Sequence, residues 1–114
     1  MPYIGGKSTI ASEVWNRLGD CPNYCEPFAG SAAVLLARPN RHDWRHRTET
    51  VNDADGLLSN FWRAVQLDPD AVAAAADWPV SECDLHARNA WLCGQRADLT
   101  RRLEADPWWC DTTA

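Results

Sequence analysis

No stretch of this sequence stays apolar for long. Arg, Asp or Asn interrupts every hydrophobic cluster well short of the roughly 18 residues that a membrane-spanning helix needs, so no membrane partner and a soluble protein are expected. Basic residues are in short supply: 11 Lys and Arg stand against 16 Asp and Glu, for a formal net charge of -5. Phosphate binding is largely an affair of Lys and Arg, so this balance argues against a self-sufficient binder of duplex DNA. The local exception is Arg38, Arg41, His42, Arg45, His46 and Arg47, a basic cluster that could track a phosphate backbone or form a solvated loop. A secretory leader is also missing ahead of Cys21, Cys25, Cys83, Cys93 and Cys110. An odd set without a leader points to reduced thiols in a cytoplasm and to no disulfides. Cys21 and Cys25, spaced C-x3-C, could in principle join Cys83, His86 and Cys110 around zinc, but no metal is expected. There is no internal repeat, and the alanine-rich run at 71–76 reads simply as helix propensity.

What is present fits one small domain: 114 residues, 46% apolar and 24% charged, are ordinary globular values. Seven tryptophans are more than a small core can cover, since each indole presents roughly 200 Å². Some of them are therefore expected on an open face.

Along the chain, Asn23 to Phe28 follows a Cys21-Pro22-Asn23 turn and reads as a strand, ending in the small-residue loop Ala29-Gly30-Ser31. Ala32 to Ala37 reads as a short helix with Ser31 at its N-cap and Pro39 closing it. Thr48 to Asn52 reads as a second strand that runs into Asp53 and Asp55. The period then changes, with Leu57, Leu58, Phe61, Trp62 and Val65 forming one helical face. Asp68-Pro69 starts another helix, Ser81 can cap a third through about Trp91, and Gly94 should separate a fourth ending near Asp106-Pro107. Phe61, Trp62 and Trp91 are expected to anchor the core, and His86 to lie at the surface or a cap. Two strands joined by a crossover helix would lie parallel, and parallel sheets need more strands and two covered faces. The fold is therefore expected to be incomplete within these 114 residues.

Three clusters carry chemistry. In Pro2-Tyr3-Ile4-Gly5-Gly6-Lys7-Ser8-Thr9 the glycines permit close backbone approach and Lys7 supplies a cation, but a phosphate-binding P-loop would need a further upstream glycine where Met1 stands. In Glu26-Pro27-Phe28-Ala29-Gly30-Ser31-Ala32-Ala33 a strand end turns through glycine into a helix, as in folds that hold nucleoside-like ligands. In Val51-Asn52-Asp53-Ala54-Asp55 a carboxylate arrives about twenty residues after the glycine, the spacing at which an acid accepts hydrogen bonds from ribose hydroxyls. Asp55 is the better candidate for a helix cap. Glu26 is either a strand-end carboxylate or a cofactor contact.

Together P-Y-I-G-G-K, E-P-F-A-G-S-A-A-V and V-N-D-A-D-G-L-L-S-N-F-W-R closely resemble, in order and spacing, the opening motifs of the Dam-like class of S-adenosylmethionine-dependent DNA adenine methyltransferases. The resemblance covers about residues 2–67. It implies an α/β chain: a partial Rossmann-like methyltransferase fold with a short parallel sheet at residues 1–67, then a helical segment at 68–114 that begins an insertion or DNA-recognition region. It implies S-adenosylmethionine as cofactor, held by Tyr3, Gly5, Gly6, Lys7, Glu26, Phe28, Gly30 and Asp53, and double-stranded DNA as partner through parts largely absent here. In such enzymes the methyl group passes to the exocyclic amino group of an adenine flipped out of the duplex. The family motif Asp-Pro-Pro-Tyr that accepts hydrogen bonds from that amino group does not occur in this sequence. Asp106-Pro107-Trp108-Trp109 bears only a passing likeness, because a tryptophan cannot reproduce the second proline's backbone, and a helix-terminating turn is expected there. No catalytic residue is therefore assigned, and the chain alone is expected to be inactive. The alternatives are a non-catalytic cofactor-binding module or half of a split enzyme, with a nucleotide triphosphatase ranked behind both.

Overall fold

The computed structural model describes residues 6–40, 45–77 and 81–113. Within them the chain divides between Ala54 and Asp55 into two compact units. The first is built from helix α1 (Ala11–Leu18), strand β1 (Asn23–Glu26), helix α2 (Ala33–Leu36) and strand β2 (Thr48–Val51). The two strands pair in parallel, with Asn23 opposite Thr48 and Glu26 opposite Val51. Alternation in β1 buries Tyr24 and Glu26 and exposes Asn23 and Cys25, while every residue of β2 is exposed. One face of β1 is thus covered while β2 is exposed on both faces, an arrangement a parallel sheet rarely keeps on its own.

The covered face holds a small core of Ala11, Trp15, Tyr24 and Val34, with Val14, Cys21 and Leu35 packed against it. Trp15 anchors it, its ring 4.8 Å from that of Tyr24 and its indole N–H donating to the Val34 carbonyl at 2.7 Å. Arg38 lies over the same indole at 5.4 Å, pairs with Glu49 at 2.9 Å and Asp20 at 3.3 Å and donates to the Cys21 carbonyl. Arg47 also pairs with Asp20. These two members of the basic cluster therefore neutralise carboxylates inside the unit, and Arg38, 3% exposed, fits neither the solvated loop nor the phosphate track that the sequence offered. Arg41 and His42 fall outside the described residues, and Arg45 and His46 are exposed.

The second unit comprises α3 (Gly56–Leu67), α4 (Pro69–Ala76) and α5 (Glu82–Ala105). Caps set the starts as the sequence suggested: Asp55 accepts from the Leu57 N–H at 2.9 Å, Asp68 from Ala71 at 2.9 Å with Pro69 following, and Ser81 from Asp84 at 3.1 Å. Gly94, however, does not end a helix, and α5 runs through it for 24 residues. A lone glycine costs about 1 kcal/mol against alanine, less than breaking the hydrogen-bond ladder that carries Leu99 and Leu103 into the core.

The face by which α3 packs is also different from the apolar stripe in the sequence. Gly56, Asn60 and Ala64 are buried, whereas Phe61 is 42% exposed and, on α5, Trp91 is 47% exposed, so neither is the core anchor expected of it. Trp62 is half-buried. Small residues win this face because α5 comes so close that a Cβ on Gly56 would stand 2.2 Å from Thr100 Oγ1. Asn60 exchanges two hydrogen bonds, each 2.7 Å, with the backbone of Asp111. Arg63 donates to the carbonyls of Leu103, Asp106 and Trp109 at 3.1 to 3.2 Å, which closes α5 and sets Asp106 to Trp109 as a turn. Among the described residues no helix is long and apolar enough to cross a membrane.

Candidate functional site

Parallel pairing brings the C-terminal ends of β1 and β2 to the same end of the sheet, where the chemistry-bearing clusters also lie. The ladder continues past the strands: the Asn52 N–H donates to Glu26 O, and the Ala29 N–H to Asn52 O, both at 2.9 Å. The chain then leaves β1 through Pro27, Phe28, Ala29 and Gly30. Gly30 has φ 54, a left-handed conformation that favours glycine, and the bond from its N–H to Asp53 Oδ2 at 2.8 Å links the loop to the second strand's end. Ala32 shares the left-handed region at φ 51. Its conformation costs about 1 kcal/mol and is held by burial and by its N–H bond to Ala29 O at 2.8 Å. It is Ala32, not Ser31, that occupies the N-cap of α2, and no side chain caps it. With only four residues, α2 offers no significant dipole to a ligand.

Gly6, Lys7, Phe28, Ala29, Gly30, Ser31 and Asp53 line one open cavity of about 350 Å³. Phe28 is 76% exposed, an unusual position for an aromatic ring and one that leaves its face available at the cavity wall. Five residues singled out in the sequence thus meet here: Gly6, Lys7, Phe28, Gly30 and Asp53. Tyr3 and Gly5 lie outside the described residues. Glu26 does not line the cavity. It is buried behind it, its Oε2 accepting from the Leu35 N–H and the Tyr24 hydroxyl, each at 3.2 Å, while Oε1 receives no directed hydrogen bond among the described residues and faces the Lys7 ammonium at 3.0 Å. Burial first, and then the Glu26 carboxylate, push the Tyr24 hydroxyl up to about 12, which keeps it a neutral donor.

Ala29 and Ser31 complete the wall and were not chosen from the sequence. Their signal was there, as small residues flanking the glycine, but nothing in the sequence separates lining residues from packing ones. Tyr24 was missed for a similar reason, since only the fold turns it toward Glu26. Lys7 donates to the Phe28 carbonyl as well as pairing with Glu26. Among the described residues no group of three or more His, Cys, Asp or Glu could hold a metal ion, and all five cysteines are free.

The model of the D12 class N6 adenine-specific DNA methyltransferase family matches residues 3–82, more than half of the chain. The chain belongs to this family. The match takes in both strands, the loop between Glu26 and Ala33, Asp53, α3 and α4, and ends as α5 begins. Comparison with curated proteins and with solved structures gives no match. As a D12 class member the chain is assigned to methyl-transferring enzymes that act on adenine in DNA. The mixed helical structure with its two-stranded parallel sheet is compatible with part of a methyltransferase fold.

Proposed function

We propose that the cavity at the ends of β1 and β2 binds S-adenosylmethionine and that the chain is the N-terminal, cofactor-binding part of an adenine-specific DNA methyltransferase. The observation that carries this reading is the convergence of Lys7, Phe28, Gly30 and Asp53 on one cavity in a member of this family. The donor set fits the cofactor. Its volume of about 350 Å³ lies within the range of small-ligand pockets, which begins at roughly 300 Å³. The exposed Phe28 ring can stack on a purine, Gly30 lets the backbone approach closely, and the Asp53 carboxylate can accept from ribose hydroxyls. Bound there, the sulfonium supplies an activated methyl group. This chain's residues bind and orient; Asp-Pro-Pro-Tyr, which in the family resemblance aims the adenine amino group, is not in the sequence. Double-stranded DNA and the remaining sheet strands are engaged, in this reading, by polypeptide outside these 114 residues, and the free thiols suit a reducing cytoplasm.

Calorimetric titration tests the reading directly. The chain should bind S-adenosylmethionine and leave ATP unbound at the same concentrations. Binding of ATP alone would replace the cofactor reading with a triphosphatase, and saturation by neither ligand would remove the site.

A further inference from the structure

Glu26 resembles a ligand contact in the sequence yet is 4% exposed and sits behind the cavity wall. Its two oxygens are used unequally. Oε2 joins α2 and β1 through the Leu35 N–H and the Tyr24 hydroxyl. Among the described residues Oε1 is buried without a directed hydrogen bond, and Lys7 Nζ, 3.0 Å away, is its charge compensation. A buried carboxylate without a counter-charge is strongly destabilising, so Glu26 fixes where the Lys7 ammonium must stand. That same ammonium donates to the Phe28 carbonyl, at the residue that opens the loop into the cavity. Lys7 lines the cavity and Glu26 does not.

We infer that Glu26 is a positioning residue acting through Lys7: the two form a charge-neutral pair that pins the N-terminal segment to the Phe28 loop and adds no net positive field to the cavity. This rests on the cofactor reading above and deepens it. S-adenosylmethionine carries a sulfonium cation, whereas its demethylated product S-adenosylhomocysteine is a neutral thioether of nearly the same shape. An unbalanced ammonium in the wall would penalise the first ligand and not the second. The pair therefore lets the site keep a lysine at the ligand without losing preference for the charged cofactor.

The ratio of affinities for these two ligands isolates the effect, because loop distortion weakens both alike. Measured on the full chain, Glu26→Gln should lower affinity for S-adenosylmethionine relative to S-adenosylhomocysteine by about three- to tenfold, the work of one charge at medium range in a partly screened site. The double variant Lys7→Met with Glu26→Gln removes both charges and should return the ratio to within about twofold of the wild type. Equal loss for both ligands in Glu26→Gln, or no recovery in the double variant, overturns the inference. A ligand-free comparison separates this result from the fate of the cofactor reading. Lys7→Met alone leaves Glu26 buried without its counter-charge and should melt at a lower temperature than the double variant. Equal melting overturns the pair, whether or not the wild type binds either ligand, and failure of the wild type to bind both refutes the cofactor reading alone.

Discussion

Asp53 and Asp55 stand two positions apart, but the fold gives them different work, and substitution should separate them. Asp53 lines the cavity and accepts from the Gly30 N–H at 2.8 Å. Asp55 accepts from the Leu57 N–H at 2.9 Å as the N-cap of α3 and pairs with Arg96 at 3.3 Å. In Asp53→Ala the ribose hydroxyls lose a charged acceptor worth roughly 1.5 to 3 kcal/mol. At 1.4 kcal/mol per factor of ten, that is a loss of about ten- to 150-fold in affinity for S-adenosylmethionine. The Gly30 tether goes with it, at a cost of about 1 kcal/mol in folding stability. Asp53→Asn keeps an oxygen for Gly30 and should melt close to the wild type while still binding more weakly. Asp55→Ala should do the reverse, losing about 0.5 to 2 kcal/mol of stability from the missing cap and leaving affinity unchanged. Calorimetric titration and thermal melting of the three variants side by side decide the matter. Weakened binding in Asp55→Ala with none in Asp53→Ala would mean that the ribose site has been assigned to the wrong carboxylate.

Three further outcomes are expected. Gly56→Ala should destabilise the chain by about 1 to 3 kcal/mol in denaturant unfolding, since its Cβ would meet Thr100 Oγ1 at 2.2 Å; unchanged or raised stability would contradict the close approach of α3 to α5. The Tyr24 hydroxyl is held up to about 12 from 10.0 in the folded chain, so the unfolded state loses this proton first. Its contribution to stability is full below pH 10 and is lost as pH rises from there toward 12. Tyr24→Phe should show a flatter stability profile across that window, and parallel profiles would refute the assignment. Incubated with labelled S-adenosylmethionine and adenine-containing duplex DNA, the isolated chain should transfer no methyl group; incorporation would show that a residue pattern other than Asp-Pro-Pro-Tyr aims the amino group.

Much of the candidate site was legible because its signals are local. A glycine needed at positive φ, a lysine beside two glycines and a carboxylate at a strand's end each announce themselves within a few residues, and Gly30, Lys7 and Asp53 do meet. Helix starts were legible for the same reason, since Asp55, Asp68 and Ser81 cap through their own side chains. The reading failed where the answer depends on what lies across the fold. Gly94 looks like a stop only if the helix on either side has nothing to gain by continuing, and Leu99 and Leu103 make continuation favourable. Phe61 outranks Asn60 as a core residue on hydrophobicity alone. Asn60 is nonetheless fully buried, because the backbone of Asp111 satisfies its amide and α5 leaves no room for a large side chain on that face.

The sequence by itself determined the family, the parallel order of the two strands and five of the residues that gather at their ends, Gly6, Lys7, Phe28, Gly30 and Asp53. These follow from motif spacing and from the rule that a crossover aligns strand ends. Only the tertiary structure decided that Ala29 and Ser31 complete the cavity wall, that Arg38 serves Asp20 and Glu49 within the unit, and that Glu26 stands behind the wall with Lys7 as its counter-charge. Charge pairing and burial depend on groups distant in the chain, and the direction of a side chain is fixed by the packing around it.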